Sequence, residues 1–106
     1  MATHGPTGVR FLYFGDCANW RNAKAHLRAA LVDIGADPSE IVYEEVTTPE
    51  QAAAVGFRGS PTILVDGVDV FAQPDDPTGV ACRIYQTPEG AQGAPTVDQL
   101  RAVLAG

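Results

Sequence analysis

Cys17 is the side chain with the most chemistry on offer. It follows a continuously apolar run, Val9-Arg-Phe-Leu-Tyr-Phe14, and the breaker Gly15-Asp16, and it opens an amphipathic stretch. A cysteine at that junction faces the unpaired N–H groups of a helix start and the positive end of the helix dipole, and both favour thiolate over thiol. Arg21, one turn later, and Arg58, further along the chain, could add positive charge; Asp16 acts in the opposite direction unless it turns away to cap the helix. The bland reading is a small residue at a strand–helix junction. Cys82 is the second sulfur. Val80, Cys82 and Ile84 alternate, so one reading is a buried small hydrophobe in a short strand. Two cysteines so far apart do not make a disulfide scaffold, and in a reducing compartment they are thiols unless chemistry dictates otherwise. Ser60-Pro61 stands before the apolar run Thr62-Ile-Leu-Val65, where a trans proline can start an edge strand. Trp20 lies on the apolar side of the helix that Cys17 opens, which suits core packing, and also one turn above the sulfur, which suits a substrate platform.

Other chemistries find little support. There is no Gly-rich phosphate loop, no Ser-His-Asp set and no paired-carboxylate constellation, and no cofactor is implied. His4 and His26 have no cysteine at ligand spacing, with His26 falling between the stripes of an exposed helix face, so no structural metal site is expected. Asp75-Asp76 reads as solvated turn chemistry. The net charge of −6 and seven scattered Lys and Arg residues argue against nucleic acid and anionic membranes as partners. No apolar stretch approaches a membrane span, and the first eight residues lack the basic start and apolar core of a secretory signal. They read as a loose tail ahead of a single domain over 9–106, in a cytoplasmic protein that is monomeric by default.

The elements that must position these residues follow from the pattern. The chain of 106 residues, 45% apolar and 19% charged, can bury one core. Val9–Phe14 is apolar enough for a central strand covered on both faces. Trp20, Ala23, Leu27, Ala30, Leu31 and Ile34 then recur at helical spacing, and Gly35 stops the helix. Ile41–Val46 is a second strand, parallel to the first because a helix crosses between them. Thr48-Pro49-Glu50-Gln51 starts a short helix that ends at Gly56. Thr62–Val65 and Val68–Phe71, joined by Asp66-Gly67, form a hairpin. Ala72 to Pro95 is a long Pro- and Gly-rich excursion in which Val80–Tyr85 is a short strand or turn. Thr96-Val-Asp-Gln99 caps a last helix with Leu100, Val103 and Leu104 on its apolar face. The order β-α-β-α-β-β-α describes an α/β domain with a mixed four-stranded sheet and helices on both faces.

With Cys17 at a helix start, Gly59-Ser60-Pro61-Thr62 before the third strand and Asp66-Gly67 in the hairpin, residues 9 to 105 resemble the thioredoxin–glutaredoxin superfamily. Asp16-Cys17-Ala-Asn-Trp20, the Gly-Ser-Pro-Thr stretch and Cys82-Arg-Ile-Tyr85 are similar to a bacterial subgroup of stand-alone thioredoxin-like proteins, some labelled alkylmercury-lyase-like. The resemblance implies an attacking thiolate at Cys17 and a cis Ser60–Pro61 bond whose Ser60 N–H and C=O lie open for an extended substrate. It also implies that the segment after the fourth strand returns past this end of the sheet, so Cys82 could close a disulfide with Cys17. The departure from the family is Trp20, which stands where Cys-x-x-Cys would put its second cysteine and so rules out ordinary dithiol exchange at that motif.

Three functions compete. One is a thiol-dependent oxidoreductase: Cys17 attacks a protein or small-molecule disulfide, Cys82 or an outside thiol resolves the product, and Trp20, Arg58, Ser60 and Pro61 contact the substrate. The second is a non-catalytic binding module built on the Ser-Pro groove. The third is handling of mercury, another soft metal or an organomercurial by Cys17 and Cys82.

Overall fold

The computed structural model describes residues 8–15, 17, 19–71 and 82–105. The expected tail over 1–8 lies outside this set except at Gly8, as do His4, Asp16, Asp75, Asp76 and Val80. The Gly8 N–H donates to Asp66 Oδ1 (2.9 Å) and its carbonyl accepts from Asp66 N–H (2.7 Å), tying the residue before β1 to the hairpin turn.

The chain runs β1 (Val9–Tyr13), α1 (Asn19–Asp33), a 3-10 turn (Pro38–Glu40), β2 (Val42–Glu45), α2 (Pro49–Val55), β3 (Thr62–Val65), β4 (Val68–Asp69), β5 (Tyr85–Thr87), β6 (Gly90–Gln92) and α3 (Val97–Ala105). Four strands form one mixed sheet in the order β2-β1-β3-β4. β1 is parallel to β2, with Phe11 beside Tyr43, and antiparallel to β3, with Phe11 beside Ile63. This is the arrangement the strand–helix–strand crossover and the Asp-Gly hairpin require. At β4 the pairing stops after Val65–Val68 and Leu64–Asp69, shorter than the Val68–Phe71 run anticipated, because Asp69 Oδ1 takes the Phe71 N–H (3.1 Å).

Alternation along the central strands builds two cores. Val9, Phe11 and Ile63 point to the side covered by Ala23, Leu27, Ala30 and Leu31 of α1 and by Leu100 and Leu104 of α3. Leu12 and Leu64 point to the other side, where Val46, Ala52 of α2 and Phe57 pack. Both helical Thr-x-x-Gln starts are made. Thr48 accepts from Gln51 N–H (3.1 Å), and Gln51 reaches past the cap to Thr47 N–H (3.0 Å). Thr96 and Gln99 close a reciprocal capping box at 2.9 and 3.1 Å. Asp37 caps the 3-10 turn. The Ser39 N–H on its carboxylate holds that carboxyl below its ordinary range.

Three expectations change. The excursion contains a two-stranded antiparallel ribbon, β5–β6, which its Pro and Gly content concealed. His26 is half-buried, and its Nδ1 lies 2.9 Å from the Pro95 carbonyl, joining α1 to the approach of α3. The third concerns residues 82–85. The alternation of Val80, Cys82 and Ile84 suggested that these face inward, but Cys82 and Ile84 are exposed while Arg83 and Tyr85 are buried. A charged residue takes the inner face because an acid, Asp69, awaits it there. No helix among the described residues is long and apolar enough to cross a membrane.

Candidate functional site

Three hydrogen bonds set Cys17. Its N–H donates to Phe14 O (3.0 Å), closing a tight turn at the end of β1. Tyr13 O holds Val46 N–H (2.8 Å), and Phe14 N–H donates to Ser60 Oγ (2.9 Å), so the junction is fastened to β2 on one side and to the start of β3 on the other. The Cys17 Sγ then lies 3.8 Å from the Ser60 carbonyl oxygen. The residue is only 2% exposed, so the sulfur placed first in the sequence reading is a buried one.

Cys82 reaches it from the far end of the chain. Cys17 and Cys82 form a disulfide with their Cα atoms 5.7 Å apart, in the range the bond requires. Cys82 sits in an isolated parallel bridge opposite Ser60, secured by an Arg83 N–H to Ser60 O bond of 2.9 Å. The reading of Cys82 as a buried hydrophobe is therefore overturned: it is exposed and covalently paired.

The next residues hold this segment down. Arg83 Nη1 lies 3.0 Å from Asp69 Oδ2, and the two side chains are only 6% and 9% exposed. The same nitrogen reaches Thr62 Oγ1 at 3.5 Å. The Thr62 hydroxyl in turn donates to Gly59 O (2.7 Å). The guanidinium stands 4.7 Å over the Tyr85 ring, Tyr85 packs edge-on against Phe71 at 5.3 Å, and the Tyr85 hydroxyl donates to Pro61 O. Two short loops thus meet face to face, residues 59–62 and 82–85, with the disulfide on one side and a buried ion pair on the other.

The Ser60–Pro61 bond is cis. Ser60 is fully buried, and its carbonyl is already taken by Arg83 N–H. That corrects the expectation of an open Ser60 backbone, since the chain's own segment fills the place foreseen for an extended substrate. Trp20 packs on Tyr13 at 4.6 Å, with its indole N–H 3.4 Å from Gly15 O. Arg21 lies over the Trp20 ring at 4.8 Å. Arg58 enters through its backbone, with its N–H 3.4 Å from Thr62 Oγ1. Its guanidinium makes no hydrogen bond or ion pair among the described residues.

Six sequence candidates therefore divide. Cys17, Cys82, Ser60 and Pro61 converge, whereas Trp20 and Arg58 flank them. Arg83, Asp69, Thr62 and Tyr85 were missed. The available signal was Arg83 beside a cysteine in an otherwise apolar, alternating stretch, a charge that must find a partner if the stretch is buried. Among the described residues no group of three or more His, Cys, Asp or Glu side chains gathers as a metal site would. Comparison with known proteins finds no matching family model, no matching curated protein and no matching solved structure.

Proposed function

We propose that this chain is a small thioredoxin-like thiol–disulfide oxidoreductase whose redox pair is Cys17 and Cys82. The observation that carries the reading is their disulfide, formed between the β1–α1 junction and the segment opposite the cis Ser60–Pro61 bond. The strand order β2-β1-β3-β4, with α1 and α3 on one face and α2 on the other, supports the thioredoxin-like part of the proposal.

The unequal exposure of the two cysteines supports a division of roles between them. An outside thiolate, from a protein or a small molecule, meets the bond on the Cys82 side. It attacks the Cys82 sulfur, a mixed disulfide forms there, and the electron pair of the broken S–S bond leaves on Cys17 as thiolate. Cys17 suits that part because α1 begins two residues after it, and a thiolate stabilised at a helix start is a good leaving group. A second outside thiolate then takes its partner off Cys82, leaving a dithiol and an oxidised outside pair. Running in reverse, Cys17 is the attacking thiolate that closes the bond, so Trp20 at the usual second position does not prevent two-electron exchange.

Trapping tests this. Reduced Cys17→Ser protein, which keeps Cys82, should form a mixed disulfide with oxidised glutathione rapidly, and Cys82→Ser protein should do so slowly. The opposite order moves the entry sulfur to Cys17. A wild-type bond that glutathione or a protein dithiol cannot open defeats the oxidoreductase reading. A second reading, soft-metal binding, draws on the same convergence of sulfurs. Mercuric ion titrated into the reduced chain should then give a one-to-one complex that needs both cysteines.

A further inference from the structure

The two sulfurs are not positioned in the same way. The turn that carries Cys17 is fastened by hydrogen bonds to Val46, just after β2, and to the Ser60 hydroxyl, just before β3, independently of the disulfide. Among the described residues Cys82 has the backbone bridge to Ser60, supplemented by what Arg83 and Tyr85 supply. We propose that Arg83 and Asp69 are positioning residues of the redox pair, holding Cys82 opposite Ser60 while its bond to Cys17 is open. This inference rests on the oxidoreductase reading above.

Three features carry it. The first is register. Along 82–85 the buried residues are Arg83 and Tyr85 and the exposed ones are Cys82 and Ile84, a strict period of two. A slip of one residue would turn Arg83 outward and carry Cys82 away from Cys17. Arg83 forbids that slip, because its side chain reaches Asp69 on β4 and Thr62 on β3 while its own N–H is bound to Ser60 O. The second is chemistry. Burying an ion pair gives little net stability over an apolar pair of equal volume, so a buried Arg–Asp contact is better suited to fixing one arrangement than to adding strength. The third is redundancy in the right place. The Tyr85 hydroxyl on Pro61 O and the Phe71 ring against Tyr85 anchor the same segment just downstream, again without using the disulfide.

Held this way, the reduced Cys82 thiol stays within reach of Cys17 at a high effective concentration. The exchange that reports it balances as Cys17-SH plus Cys82-SH plus oxidised glutathione giving the Cys17–Cys82 disulfide plus two reduced glutathiones. The two protein thiols lose two electrons and glutathione gains them.

The test equilibrates the full chain in glutathione redox buffers, quenches with acid, alkylates, and measures the oxidised fraction by intact mass. The double variant Arg83→Met/Asp69→Asn leaves no lone buried charge. It should lower the equilibrium constant for bond formation by roughly tenfold, as expected when a charge-assisted contact is removed from one redox state more than from the other. Arg83→Lys, which keeps the cation, should restore much of the loss. Tyr85→Phe removes a single hydroxyl and should shift the constant in the same direction by less, which keeps the question answerable if the double variant does not fold. An unchanged constant, with the melting temperatures of oxidised and reduced protein falling together, would make the clamp merely structural and overturn the inference while leaving the redox reading intact. A wild-type protein that never forms the bond in these buffers would defeat both.

Discussion

The loops that carry the two cysteines are built on different rules. Around Cys17 the contacts are mostly those of main chain: Cys17 N–H to Phe14 O, Val46 N–H to Tyr13 O, and Phe14 N–H to the Ser60 hydroxyl. Around Cys82 one main-chain bond to Ser60 O is supplemented by long side chains, Arg83 to Asp69 and Thr62, and Tyr85 to Pro61. A position set by main chain tolerates changes of side chain, whereas a position set by one guanidinium does not. The difference teaches that one disulfide can join a rigid half to a half that is only as ordered as its anchor.

Breaking the anchored half should have the largest effect. Arg83→Ala alone leaves Asp69 buried without its cation, and urea unfolding should show a loss of about 3–5 kcal/mol; a loss near that of a surface residue would mean the pair is not buried in solution. Ser60→Ala tests the other half. It strips Phe14 N–H of its acceptor, and the same measurement should show roughly 1–2 kcal/mol. If Ser60→Ala costs more than Arg83→Ala, the distinction between the two loops fails. Trp20→Phe keeps most of the contact with Tyr13 but loses the indole N–H beside Gly15 O, and should cost about 1 kcal/mol with little change in thiol exchange. At the bottom stands Arg101→Ala. Arg101 pairs with Asp33 at 3.6 Å and with Asp98, but its side chain is 45% exposed, so about 0.5 kcal/mol or less is expected. Arg83 and Arg101 are both arginines paired with an acid; burial is the main difference behind their expected effects.

The same division decides what could be read in advance. β1, α1, β2, α2 and the β3–β4 hairpin follow from local signals: apolar periodicity, Thr caps, Gly35 and the Asp66-Gly67 turn, where Asp66 adopts φ 52° and Gly67 φ 87°. Cys17 and Ser60-Pro61 sit at the joints of those elements and were legible with them. The 82–85 segment was not, because its alternation is symmetric under exchange of faces. Val80, Cys82 and Ile84 form the more apolar set, so hydrophobicity selects the wrong face. The face is settled by Asp69, a residue in another strand, and no local pattern announces a buried ion pair between elements. The β5–β6 ribbon was hidden for a related reason. Tyr85-Gln-Thr87 and Gly90-Ala-Gln92 carry little apolar content, and their pairing is stabilised by Thr87 Oγ1 to Gly90 O (2.7 Å) and by Gln99 Nε2 to Gln86 O (2.9 Å).

Joining residues separated by 65 positions turns most of the chain into a covalent ring: α1, β2, α2, β3 and β4 lie inside it, and β1, β5, β6 and α3 lie outside. Closing a ring of that size removes unfolded-chain entropy worth roughly 4 kcal/mol on the loop-entropy model. Oxidation state and resistance to unfolding should therefore rise and fall together. A protease that cuts once between the cysteines leaves the oxidised chain as a single molecule on a denaturing gel, and the same cut chain separates into two peptides as soon as a reductant is added.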